Sequence, residues 1–119
     1  MHPHNTTSLA VANSLSAVLS GLSVVHTTIN GLGEFSGLAA TEALSAAIDI
    51  HAGISLGLNY NKLQVARTLI SQITGIKKPP FNPITGKSAL AIPKTVEKPQ
   101  FMYSLSLENK NVKYLFIFK

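Results

Sequence analysis

The stretch SLAVANSLSAVLSGLSVVHTTINGLG, residues 8–33, decides the reading of the fold. Within it Val11, Leu15, Val18, Leu22, Val25, Ile29 and Leu32 recur at alternating spacings of four and three. That is the heptad seam of a helix lying along a partner. Asn13, Ser16, Ser20, Ser23, Thr27 and Asn30 form the opposite stripe, and Ala10, Ser14, Ala17 and Gly21 form a third, small one. No Lys, Arg, Asp or Glu occurs from residue 1 to 33, although a helix facing water normally displays such residues. Short hydroxyl side chains can bond back to their own helix and be buried. The pattern therefore predicts a helix over 8–30, started by Asn5, Thr6 or Thr7 as capping residues.

Outward from this stretch, Asn30-Gly31-Leu32-Gly33 permits positive φ and breaks the helix. A turn here would fold the next segment back as an αα-hairpin. That segment reads as helix over about 36–74. Leu38, Ala40, Leu44, Ala47, Ile48 and Ile54 are apolar, and Glu42, Ser45 and Asp49 form an acidic edge. Gly53 and Gly57 fall inside it, each costing about 1 kcal/mol against Ala. Helical spacing resumes at Leu63, Ala66, Ile70 and Ile73, so the reading is one kinked helix, stopped at Gly75.

Composition changes at residue 76. Lys77, Lys78, Pro79, Pro80 and Pro83 open a basic, Pro-containing linker over 76–100 that cannot be helix at its start. Residues 101–107 and 112–118 are β-rich runs around the turn sequence Glu108-Asn109-Lys110-Asn111. The expected fold class is mainly α with a small β appendage. It consists of an antiparallel helical hairpin over 1–75, the linker, and a C-terminal β-hairpin over 101–119.

Of the 119 residues 45% are hydrophobic and only 13% charged, about half the usual charged share. This excludes a disordered polyelectrolyte. The absence of Cys excludes a disulfide framework, a thiolate metal site and a Cys nucleophile. Residues 1–75 are nearly neutral, with Lys62 and Arg67 against Glu34, Glu42 and Asp49. Residues 76–119 hold eight Lys against Glu97 and Glu108. Lys in place of Arg suits loose attraction to anionic surfaces better than specific phosphate or base recognition, so nucleic-acid binding is not expected.

No catalytic, cofactor-binding or metal site is expected. His2 and His4 flank Pro3 at what reads as a free end, and nothing in the spacing of His26, Glu42, Asp49 and His51 demands a metal. Thr85-Gly86-Lys87-Ser88 resembles the end of a phosphate loop, but Phe81 stands where its first glycine must be. Asn5-Thr6-Thr7 matches a glycosylation acceptor that matters only in a secreted eukaryotic chain. What the sequence offers instead is contact surface: the seam residues Val11, Leu15, Val18, Leu22, Val25 and Ile29, the close-approach pair Gly53 and Gly57, and the aromatics Tyr103, Tyr114, Phe116 and Phe118. Five of the eight aromatics fall in the last 19 residues. These features predict a non-enzymatic structural or assembly subunit, with itself or other subunits as partner and no small-molecule substrate. The alternative is a small membrane-associated or pore-like helical protein with a basic cytoplasmic tail. No signal peptide is recognised, because no Lys or Arg precedes the apolar run.

Overall fold

The computed structural model describes residues 1–89, together with the backbone of two short strands further on. Within 1–89 there are three α-helices: α1 (Ala10–Leu19), α2 (Thr41–Ala52) and α3 (Tyr60–Thr74), and no strand. The expected pair of long helices is corrected to these three. The 8–30 helix stops at Leu19, because Gly21 takes φ 96° and turns the chain away. A helical Gly already lacks the side chain that would reward staying in the helix. Val25 and Ile29 of the seam thus leave the helix altogether.

The 36–74 helix is likewise divided. Gly53 closes α2 in the left-handed conformation, at φ 65°, and Gly57 at φ 66° sits in the connection before α3. Two glycines four residues apart each disfavour helix by about 1 kcal/mol, and the intervening Ile54 and Leu56 stay exposed. Asn59 starts α3 by accepting a hydrogen bond from the Lys62 N–H at 3.1 Å, and Gly75 ends it at φ 71°, where the sequence predicts the stop.

The break after α1 has a purpose in the architecture. The amino group of Met1 donates to the Val24 carbonyl at 2.8 Å, and the His26 N–H donates to the Met1 carbonyl at 2.9 Å. One residue bonded to both flanks of its neighbour is the parallel-strand pattern. Residues 1–4 and 22–28 therefore run side by side in one direction, with α1 as the crossover between them. This is a parallel arrangement, not a helical hairpin. Further on, Thr28 bridges Ala40 in parallel sense and His4 bridges Leu38 in antiparallel sense.

Burial separates the two faces of this pair. Pro3 is buried, Val25, Thr27 and Ile29 are half-buried, and Thr41 of α2 donates to the Thr27 hydroxyl at 2.9 Å. That face carries the helices. Alternation sends His2, Val24 and His26 to the other side, where they are exposed. The core lies between α1 and α2 and holds Ala10, Leu38, Ala39, Leu44, Ala46 and Ile48. On α1 the buried residues are Ala10 and Ser14, from the small stripe, while Val11, Leu15 and Val18 are half-buried. Small side chains let the two helices approach, and Ser14 is satisfied by donating to the Ala10 carbonyl at 2.7 Å.

The expected C-terminal hairpin domain finds no support. Of 101–119 only Tyr103–Leu105 and Tyr114–Phe116 are described, as antiparallel three-residue strands with Tyr103 opposite Phe116. The remaining expectations for that stretch, Phe118 included, lie outside the described residues.

Candidate functional site

Residues 4–8 and 30–37 are the loops at the carboxyl ends of the two parallel segments. The second loop is bent by an unusual run of left-handed residues: Asn30, Gly31, Gly33, Phe35, Ser36 and Gly37 all have positive φ. Gly37 is obligatory here, because a Cβ on it would collide with the Gly31 carbonyl. The Asn5 N–H donates to the Gly37 carbonyl at 2.8 Å, and Thr6 Oγ1 donates to the Phe35 carbonyl at 3.1 Å, so the two loops are tied together.

Three imidazoles meet on the exposed face and at its carboxyl end. His2 Nδ1 and His26 Nδ1 share a hydrogen bond of 3.1 Å. The His2 and His4 rings stand edge to face, 4.9 Å between centroids. His4 Nδ1 donates to the Glu34 carbonyl at 3.0 Å, and the His4 ring abuts Phe35 at 5.1 Å. A carbonyl can only accept, so His4 carries a proton on Nδ1, and in the neutral ring the lone pair is then on Nε2.

Beneath the loop lies a buried polar cluster. Glu42, in the first turn of α2, is 1% exposed. Both its oxygens accept from the Asn30 backbone N–H at 3.2 Å, and Oε1 accepts from Lys78 Nζ at 2.9 Å and, at a long 3.5 Å, from Thr85 Oγ1. Asn30 Nδ2 donates to the Arg67 carbonyl at 3.1 Å, which draws α3 to the loop. Burial holds the Lys78 ammonium below its usual pKa; the hydrogen bond and charge of Glu42 oppose this, and Arg67 adds to it. Asn30 Oδ1 and Arg67 Nε are buried with no hydrogen-bond partner. A cleft of about 650 Å³ adjoins the loop, between Asn5, Asn30 and Leu38 on one side and Ala47, Ile50 and Ile84 on the other.

Among the described residues no three His, Cys, Asp or Glu side chains converge as a metal ion would need. Glu42 is engaged with Asn30 and Lys78, apart from His26. Of the contact residues named from sequence, Leu22 is 38% exposed just beyond Gly21 and lines an apolar groove of about 240 Å³ with Val18, Val25, Ile54 and Leu56. Gly53 and Gly57 do not share a helix face, since neither lies within a helix. The imidazole cluster escaped the sequence reading because His26 is 24 residues from His2 and meets it only through parallel pairing. The one available signal was the alternation His2, His4 against His26, Thr28, legible only once residues 1–4 are taken as a strand-like segment.

The HMGL-like family model matches residues 1–70. The chain belongs to the HMGL-like family. It is 45% identical over 89 residues to the homocitrate synthase of Sulfurisphaera tokodaii, covering 75% of this chain and 19% of that protein. Against the homocitrate synthases of Saccharolobus solfataricus and Saccharolobus islandicus the identities are 46% and 43% over the same length. The chain thus spans about a fifth of the length of the curated relatives it matches.

This membership corrects the expected fold class. Residues 1–70 are a segment of an HMGL-like, TIM-barrel-type fold, and the parallel pairing of two extended segments across α1 has the connectivity of the repeat in such barrels. It also overturns the expected structural or assembly subunit, because the family and the relatives are enzymatic. The expected lack of enzymatic activity and of a small-molecule substrate falls with it: the relatives are, by name, enzymes that make a small molecule. The membrane-associated alternative gains nothing, since no helix among the described residues is long and apolar enough to cross a membrane. The low charge of residues 1–33 belongs to barrel-type packing, in which one face meets helices and the other faces inward.

Proposed function

We propose that this chain contributes part of the active site of an acyl-CoA-dependent condensing enzyme of the homocitrate synthase kind. Its substrates would be acetyl-CoA and 2-oxoglutarate. The observation that carries the reading is the placement of exposed His2, half-buried His4 and buried Asn30 at the carboxyl ends of two parallel segments in an HMGL-like chain. Barrel enzymes of this type carry their chemistry at that end.

The condensation removes a proton from the acetyl methyl group, joins that carbon to the keto carbon of the oxo acid, and releases CoA by hydrolysis of the thioester. Proton transfer at carbon needs a base with a lone pair held in place. His4 fits that requirement in its neutral form, in which an Nδ1–H given to the Glu34 carbonyl leaves the lone pair on Nε2. The ring is braced by Phe35 on one side and His2 on the other. The 30–37 loop is rigid because Glu42 grips Asn30 from below, which keeps the Glu34 carbonyl in register with His4. Orientation fixed in advance costs nothing at the moment of reaction.

The test is CoA-thiol release by the native protein with acetyl-CoA and a series of 2-oxo acids. Release dependent on both substrates is expected, with His4→Gln lowering kcat by about a hundredfold or more. No turnover with any 2-oxo acid would overturn the reading.

A further inference from the structure

Lys78 takes no part in the chemistry assigned above, yet its side chain is only 6% exposed and its ammonium lies 2.9 Å from Glu42 Oε1. A buried ammonium is costly unless an opposite charge and hydrogen bonds receive it. Glu42 in turn holds the backbone of Asn30, whose N–H donates to both carboxylate oxygens at 3.2 Å. Asn30 is held from a second direction through its side chain. The Arg67 carbonyl on α3 can only accept, so the amide nitrogen is the end that faces it, at 3.1 Å, and Oδ1 is turned away. That Oδ1 is buried and has no partner among the described residues.

We propose that Lys78 is a positioning residue for Asn30, acting through Glu42. Its charge lets Glu42 remain a carboxylate that grips the Asn30 N–H, and this holds the Asn30 Oδ1 acceptor in one place at the site. An ionised acceptor makes a shorter and stronger bond than a neutral one. A carboxylate has room for the N–H on both oxygens and for Nζ on one, whereas a protonated carboxyl group must turn a hydroxyl towards one of these donors. Asn30 needs a firm grip, since its φ of 70° is left-handed. The turn that follows Lys78 is itself stiff. The Gly86 N–H donates to the Asn82 carbonyl at 2.9 Å and the Ser88 N–H to the Pro80 carbonyl at 2.8 Å, and a Cβ on Gly86 would collide with that Pro80 carbonyl. This turn sets Thr85 Oγ1 at 3.5 Å from the same Oε1 that Lys78 holds. Residues 78 and 85 thus secure Glu42, and Glu42 secures Asn30. Lys78 lies beyond residues 1–70 of the family match, so the segment after α3 belongs to the device that shapes the site. The consequence for turnover rests on the condensing-enzyme reading; the hold on Asn30 does not.

The experiment is hydrogen exchange and ¹⁵N NMR at the Asn30 N–H of the full chain, read beside the N–H of Ile48 in the buried face of α2. Lys78→Met should move the Asn30 amide shift and lower its protection by about tenfold more than that of Ile48. Lys78→Arg, which keeps the charge, should preserve most of both. Lys77→Met, at the exposed neighbour, should change neither. Equal loss of protection at Asn30 and Ile48, or an unchanged Asn30 signal, in Lys78→Met would overturn the proposal. Glu42→Gln combined with Lys78→Met removes both charges and keeps a neutral amide oxygen in place, so it separates the grip from fold stability. In that double variant Ile48 protection should approach the parent's while the Asn30 N–H stays shifted; a parent-like Asn30 signal would overturn the role of the charge. Where condensing activity is present, Lys78→Met should lower kcat by about tenfold or more with KM nearly unchanged, and Lys78→Arg should recover it. An unaffected kcat in Lys78→Met would overturn the positioning role in turnover. Complete lack of condensing activity in the parent would defeat the earlier reading while leaving the exchange result to decide this one.

Discussion

Glu42 ties together the loop at Asn30, Lys78 and Thr85. It is a carboxylate taken almost wholly out of water, and it is tolerable only because an N–H, an ammonium and a hydroxyl converge on it. Removing one member of a buried ion pair strands the other. Glu42→Gln should therefore destabilise the fold by about 3–5 kcal/mol in urea unfolding, and adding Lys78→Met should recover most of that loss. Lys78 also gives stability a pH dependence of definite sign. Its folded pKa lies below the ordinary 10.5, so between the two values the unfolded chain binds more protons than the folded one. Stability from this group rises as pH climbs through that window towards 10.5. Urea titrations at a series of alkaline pH values should show the rise, and Lys78→Met should remove that increment relative to the parent.

At the scale of elements, the glycines sort into two kinds. Gly37 has no room for a side chain, whereas Gly53 has open space around its missing Cβ and only its left-handed φ to protect it. Gly53→Ala should cost about 1–2 kcal/mol. Gly37→Ala should cost more than that and detach the two loops, visible as loss of hydrogen-exchange protection at the Asn5 N–H. The sequence made the helix-forming stretches of α1, α2 and α3 legible, because periodicity and the stop at Gly75 are local signals. It hid the breaks. A heptad through Gly21 continues on paper, since the seam counts apolar residues and ignores the glycine between Val18 and Leu22. The candidate site was hidden for a different reason. His2, His4 and His26 become neighbours only when residues 1–4 pair with 22–28, a non-local fact that no window of sequence contains. Asn30 was read as a turn former, and the left-handed φ fits that; its contacts with Glu42 and Arg67 were beyond local reading.

On the whole molecule, burial is lopsided. α1 and α2 share the core, while α3 buries only Arg67 and leaves Val65, Leu69 and Ile73 exposed. The stability of the described region should therefore respond unequally to equal changes. Leu44→Ala should cost about 2–5 kcal/mol as a cavity in a packed interior. Val65→Lys and Ile73→Lys should each shift unfolding by less than about 1 kcal/mol, measured on the same urea curves. Equal losses at Leu44 and Ile73 would mean that the α3 stripe is covered in solution.

The pairing of Asn30 with Gly31 bears on how the protein ages. In an unstructured chain this dipeptide is the one most prone to spontaneous cyclisation, in which the Gly nitrogen attacks the Asn side-chain carbon and ammonia departs. Here the Gly31 N–H is held by the Thr28 carbonyl at 3.1 Å, and the Asn30 amide is held by the Arg67 carbonyl at 3.1 Å. Both reactants are tied down by other partners. Deamidation at Asn30 then becomes a slow clock that runs only while the loop is open. In stored samples followed by peptide mass analysis, it should accelerate in Glu42→Gln in proportion to the fraction of time that loop is released.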